Sequence, residues 1–326
     1  MKKLAIIGAG ISGLSLASEL KSSYQVTVFD KSRGVSGRMS TRKADAYAFD
    51  HGAQYFTAKD NRFKAFIERH IELGVVSLWQ EPSRTISGKN PSEITTITDT
   101  KPKYVATPTM TSLCKSLART LNIKLSKKII ALNRNDSLWY LTDSSNHIHG
   151  PFDIVVSSMP IAQFADLAND FIDNESLNDV KMSGCFSLMI ADTELPMPAY
   201  SSAKFTDSPI GWFAINSNKP ERQATPSIIV QSSNIWAQAN MQMPLHEVQN
   251  LLVAELSRLT ELDYSSASHV SLHRWQYAFV EKAFGQAYYM HADRHLAACG
   301  DWCLGPRVES AYLSGVKLAD ALKAMA

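Results

Sequence analysis

Gly8, Gly10 and Gly13 are spaced to hold a phosphate, and Asp30 stands where it could hold a sugar. Gly8 permits a tight turn, and Gly10 lets backbone approach a pyrophosphate with no side chain between. Gly13 lets a helix pack closely on the preceding strand. Around Ile11 and Ser12 the start of that helix offers unpaired N–H groups and partial positive charge to the phosphates. Asp30, about twenty residues beyond the glycines and followed by Lys31, can accept hydrogen bonds from ribose hydroxyls. A carboxylate there disfavours a phosphorylated ribose, so NADP is not the expected tenant.

These residues need elements to position them. The apolar run Leu4-Ala5-Ile6-Ile7 reads as a strand that leads into the glycines. A helical pattern follows, then a second apolar run, Val26-Thr27-Val28-Phe29, ending on Asp30. A bare GxGxxG also occurs as a glycine-rich turn. Here strand, turn, helix, strand and acid are all present, which is the βαβ unit that grips a dinucleotide.

Bulk properties exclude other classes. At 326 residues the chain exceeds one usual core, so two domains are expected. Hydrophobic residues make up 45% and charged residues 20%, ordinary for a globular protein. A net charge of +2 gives no reason to expect nucleic acid or an anionic membrane as partner. No obligate protein partner is evident. The glycines interrupt the N-terminal apolar run, and no cleavage pattern follows, so a signal peptide is not expected. Cys114, Cys185, Cys299 and Cys303 match no zinc or CxxC spacing. They read as free thiols in a reducing compartment, which points to the cytoplasm. No metal-ligand cluster is visible.

Residues 31–57 read as an ordered functional loop, and helices are expected over 60–73, from 109, over 245–262 and over 308–325. Strand-like runs fall at 128–132, 138–142 and 153–156. A different pattern begins near 186, with strands at 186–191, 210–215, 227–231 and 270–275 separated by Pro/Ser/Asn loops. The expected fold is α/β: a discontinuous Rossmann-like domain (1–60, 104–160 and 285–326) with an α+β substrate domain (61–103 and 161–284) on a mainly antiparallel sheet.

Two further motifs indicate which dinucleotide. Past Asp30 the chain reads Ser36-Gly37-Arg38-Met39-Ser40-Thr41, and near its end Gly300-Asp301-Trp302 precedes Arg307-Val308-Glu309. A glycine and arginine after the ribose acid, with a late Gly-Asp before a helix, resemble the FAD-binding amine-oxidase superfamily. Arg38 can pair with a diphosphate through two parallel hydrogen bonds. Backbone around Gly300 and Asp301 can meet the ribityl chain, the diphosphate or the N1/O2 edge of the flavin. Phe49-Asp50-His51-Gly52-Ala53-Gln54-Tyr55-Phe56-Thr57 and His273-Arg274-Trp275-Gln276-Tyr277-Ala278 resemble segments of the bacterial renalases. Ser36-Gly37 stands where two adjacent glycines are common, and Asp30 where glutamate is common.

The resemblance implies noncovalent FAD, although Cys299 and Cys303 lie near the cofactor motif. His51, Gly52, Ala53, Ile129, Arg307 and Val308 join the expected cofactor contacts. It also implies oxidation of dihydronicotinamide dinucleotides reduced at ring carbon 2 or 6. Hydride would pass to flavin N5, and O2 would be reduced to hydrogen peroxide. Gln54, Tyr55, His273, Trp275 and Trp302 are the expected substrate-side residues. Tyr55, Trp275, Tyr277 and Trp302 would be walls for a flat ring, and Gln54 and His273 would orient its carboxamide. Two alternatives stay open: an amine oxidase or desaturase of the same superfamily, and a FAD-binding protein without turnover.

Overall fold

A computed structural model describes residues 1–44, 46–97, 101–173 and 175–325. The N-terminal run forms the strand Lys3–Ile7, the helix Ile11–Leu20 and the strand Gln25–Phe29. These strands lie parallel in a six-stranded sheet with Ile154–Ser157, Leu296–Ala298 and Ile123–Lys124. Tyr289–His291 is its antiparallel edge. The first strand is apolar throughout because both of its faces are covered. Leu4 and Ile6 pack with Leu14, Val316 and Leu318 of the helices Ile11–Leu20 and Val308–Ala324. Ala5 and Ile7 pack with Trp139, Leu141 and Phe152 of a three-stranded antiparallel sheet.

The second sheet has seven strands, in the order His269–Lys282, Lys181–Ala191, Ser227–Ser232, Ile210–Ile215, Ser202–Thr206, Ser83–Ser87 and Ile94–Ile97. All pairings are antiparallel except Ser202–Thr206 with Ser83–Ser87. One face packs on the helix Leu245–Thr260, where Val248, Leu252 and Leu256 meet Phe186, Leu188 and Val230. Each fully buried side chain of this kind contributes roughly 1.5–3 kcal/mol. The alternate residues of these strands, including Ser187, Trp212, Gln231, His273 and Trp275, turn to the other face.

The helices Asn61–Glu72 and Ile161–Ala168 pack into the cores beside the parallel sheet. Asp60 caps the first of these, accepting hydrogen bonds from Arg62 N at 2.8 Å and Phe63 N at 3.4 Å. Residues 31–57, read as an ordered loop, hold a 3-10 turn at Gly37–Met39 and a two-stranded hairpin, Arg42–Ala44 with Tyr47–Phe49. Among the described residues, no helix is long and apolar enough to cross a membrane. All four cysteines are free and buried.

Candidate functional site

The two sheets enclose a cleft of about 2000 Å³. One wall is the glycine turn. Gly8 has φ +116°, a conformation that glycine adopts without strain. A Cβ on Gly10 would meet nothing within 4 Å, so the space above it is open to a ligand. A Cβ on Gly13 would lie 2.3 Å from Gly8 O, which is why only glycine fits between helix and strand. Asp30 Oδ2 accepts from Ala9 N and Oδ1 from Ser32 N, both at 2.7 Å. Each carboxylate oxygen keeps a lone pair for a ribose hydroxyl. Open backbone above Gly10 and an acceptor at Asp30 fit a dinucleotide such as FAD.

The opposite wall is the loop His51–Gln54 pressed on the seven-stranded sheet. His51 O accepts from Ser187 Oγ at 2.6 Å and from Trp275 Nε1 at 2.9 Å. Gly52 O accepts from Gln231 Nε2 at 2.7 Å. A Cβ on Gly52 would lie 2.0 Å from Arg38 O, so no other residue fits there. The His51 ring stacks on Trp275 at 5.1 Å and meets His273 edge-on at 5.0 Å. Tyr55 and Trp212, 5.5 Å apart, extend the aromatic surface.

Behind this loop lies a buried charge network. Asp50 Oδ2 accepts from Arg222 Nη2 at 2.7 Å and from Lys219 Nζ at 3.4 Å. Its Oδ1 accepts from Thr41 Oγ1 and Met110 N. Burial raises the Asp50 pKa, but Lys219 and Arg222 outweigh it and hold the carboxyl below its usual range. Burial draws the Lys219 ammonium down to about 8 against the pull of Asp50. Lys219 Nζ also donates to Gln54 Oε1 at 3.1 Å, while Gln54 Nε2 donates to Asp50 O and Gly52 O.

The histidines are kept neutral. Burial, then the cost of placing positive charge beside the His273 imidazole and the Arg42 guanidinium, holds His51 at about 3. Burial and Arg42 hold His273 at about 4. Arg42 Nη2 lies 3.3 Å from His273 Nδ1. A guanidinium can only donate, so Nδ1 accepts and the His273 proton sits on Nε2.

Most of the expected residues meet in this cleft. Gly8, Gly10, Ile11, Ser12, Asp30, Lys31, Gly37, Arg38, His51, Gly52, Ala53, Ile129, Gly300, Asp301, Arg307 and Val308 line it, as do Gln54, Tyr55, His273 and Trp275. Gly13 lies beneath the turn and supports it. Trp302 is not on the wall. It is 0% exposed, packs in the core beside Phe284 and donates from Nε1 to Met159 O at 3.1 Å. The large apolar ring turned inward, where the sequence placed it facing a substrate. Gln54 reaches the wall, but Lys219, Asp50 O and Gly52 O occupy its amide, so it holds the loop rather than a carboxamide. Arg38 gives its fork to Asp301, with bonds of 2.6 and 2.7 Å, where the sequence assigned it to a diphosphate.

Sequence reasoning missed Arg42, Trp212, Gln231, Lys219 and Arg222. Residues 216–222, Asn-Ser-Asn-Lys-Pro-Glu-Arg, read as a polar loop. The signal was an asparagine, a lysine and an arginine within one short turn, all of which bind residues 48–54. Among the described residues, twelve lysines and arginines line the cleft against three carboxylates, Asp30, Asp166 and Asp301. No cluster of His, Cys, Asp and Glu among them could hold a metal.

A family model for NAD(P)-binding Rossmann-like domains matches residues 6–70. A 4,4'-diapophytoene desaturase (4,4'-diaponeurosporene-forming) of Staphylococcus aureus (strain Newman) is 36% identical over 77 residues. That is 20% of this chain and only 15% of the relative's length. Three solved structures are similar over nearly the whole chain. A candidate protoporphyrinogen oxidase of Exiguobacterium gives a TM-score of 0.77 at 12% identity, covering 100% of this chain and 99% of that one. Wild-type putrescine oxidase bound to putrescine gives 0.72 at 12%, covering 99% of each. Reduced UDP-galactopyranose mutase gives 0.74 at 11%, covering 100% and 96%. The chain therefore has a Rossmann-like domain with mixed α/β sheets, the fold of these structural neighbours.

Proposed function

We propose that this protein is a flavin-dependent oxidoreductase, and within that class a renalase-like oxidase of isomeric dihydronicotinamide dinucleotides. Noncovalent FAD would lie along the glycine turn and Asp30, its ring end near His51–Ala53. FAD, when bound, supplies a hydride acceptor and passes electrons to O2, giving hydrogen peroxide. Cys299 is buried, its thiol pushed up to about 12, and Cys303 is buried with its thiol pushed higher still. Neither lines the cleft, which supports a noncovalent cofactor.

The chain's own residues do three things. Trp275, Tyr55 and Trp212 offer flat faces for a ring, and such faces stabilise a pyridinium as it forms. His273 presents Nε2–H, a donor that fits a carboxamide oxygen. The buried network at Asp50 holds the His51–Gln54 loop against the cleft. Among the described residues no carboxylate stands at the aromatic wall to remove a proton, and hydride transfer needs none.

One observation carries this reading over the amine oxidase: among the described residues, twelve cations line the cleft against three carboxylates, an excess that the pyrophosphate of FAD would only partly neutralise. Such a field attracts a phosphorylated substrate and repels a protonated amine. The test is an air-saturated assay with chemically isomerised NADH, following oxygen uptake, peroxide and NAD+. Equal amounts of all three support the reading. Turnover of a monoamine with none of the isomers would select the superfamily alternative, and no turnover of either the non-catalytic one.

A further inference from the structure

Two of the twelve lysines and arginines that line the cleft among the described residues are shown with carboxylates of their own, and most of the others are solvent-exposed. Arg38 pairs with Asp301 and Lys127 with Asp143. Arg42 differs. It is half-buried, lines the cleft, and has no carboxylate partner among the described residues. Among the described residues its one side-chain hydrogen-bond contact is a neutral nitrogen, His273 Nδ1, at 3.3 Å. A guanidinium that has lost water and gained no counter-charge is left with unmet demand for an anion. Its field also suppresses protonation of both His51 and His273.

The surroundings share that sign. Lys43 follows Arg42 on the strand Arg42–Ala44 and also lines the cleft. Thr41 N donates to Thr111 Oγ1 at 2.7 Å, which anchors this strand to the helix Thr111–Ala118. Lys115, one turn along that helix, lines the cleft as well. The three cleft carboxylates among the described residues lie elsewhere in the chain: Asp30 after the second Rossmann strand, Asp166 on Ile161–Ala168, and Asp301 spent on Arg38.

We propose that Arg42 is the subsite for a phosphate of the substrate, the pyrophosphate of a nicotinamide dinucleotide. The planar fork of Arg42 suits two phosphate oxygens. Contact with the neighbouring imidazole couples phosphate binding to the placement of the ring at Trp275. This inference rests on the dinucleotide reading above, and its test separates the two.

FAD-loaded wild type, Arg42→Ala and Arg42→Lys are titrated with NAD+, nicotinamide riboside and inorganic pyrophosphate, following the visible flavin band. Wild type is expected to bind NAD+ and pyrophosphate, and Arg42→Ala to bind both about ten-fold more weakly or worse. Arg42→Lys should fall between, since it keeps charge and loses the fork. Nicotinamide riboside, which has no phosphate, should change little. Equal NAD+ affinity in wild type and Arg42→Ala overturns the subsite and leaves the parent reading standing. Loss of FAD in Arg42→Ala, with unchanged NAD+ affinity in the fraction that keeps it, also overturns it and assigns Arg42 to the cofactor. Pyrophosphate binding that needs Arg42, with no NAD+ binding, upholds the anion subsite and removes the nicotinamide reading. Failure of wild type to bind either phosphate ligand overturns the subsite.

Discussion

The two walls of the cleft are built in opposite ways. The glycine turn and Asp30 lie within one short stretch of chain, and their chemistry is mostly backbone: open N–H groups, a missing Cβ and one carboxylate. The His51–Gln54 wall is assembled from distant segments. Ser187, Gln231 and Trp275 hold its carbonyls, and Lys219 and Arg222 hold the acid and amide behind it. A local backbone site tolerates change around it, whereas a wall made of long-range side-chain contacts depends on every strand keeping register.

Paired glycine substitutions should break that contrast most sharply. Gly52→Ala drives a Cβ to 2.0 Å from Arg38 O, a backbone atom that cannot move aside. Expression should yield no folded protein, or one destabilised by at least about 3 kcal/mol. Gly10→Ala meets nothing within 4 Å, so its melting temperature without cofactor should match wild type while FAD content falls. Full FAD retention by Gly10→Ala would remove the pyrophosphate from that wall.

Asp50→Asn comes next. It strands Lys219 and Arg222, whose side chains are 0% and 2% exposed, without their counter-charge. Urea unfolding should show a loss of about 3–5 kcal/mol. A variant as stable as wild type would mean that the network does not hold the wall.

The two tryptophans give a finer test. Trp302→Phe removes a core hydrogen bond and some volume, at a cost of roughly 1–3 kcal/mol, and should leave flavin reduction unaltered. Trp275→Phe should slow flavin reduction with a smaller change in melting temperature. The reverse pattern would restore Trp302 to the substrate wall.

A pH dependence tests the same wall without a substitution. His51 and His273 titrate near 3 and 4 in the native state against 6.5 when unperturbed. Between these values the unfolded chain holds protons that the folded chain does not. Stability should therefore fall as pH drops from about 6.5 to 4, by at most about 1.4 kcal/mol per pH unit for each histidine. Denaturant titrations over this range should show the slope reduced in His273→Gln.

The same contrast explains what could be read from sequence. The Rossmann strands, the turn, Asp30 and the closing helix were legible because each depends on neighbours in the chain. His273 and Trp275 were legible as members of one strand-like run, 270–275. Trp302 was misread because a motif fixes backbone position and not which way a ring turns. Arg42 and Lys219 were missed because their meaning comes from partners far along the chain, His273 for one and Asp50 for the other. Short strands such as Ser202–Thr206 carry too few residues for alternation to stand out.

The central claim is best tested by mixing FAD-loaded protein, without air, with purified 2- and 6-dihydroNAD isomers and with ordinary NADH, watching the visible flavin band. Bleaching by an isomer alone, with colour restored by air, is the predicted result. A band that stays unchanged with both isomers would contradict it, and so would equally rapid bleaching by ordinary NADH.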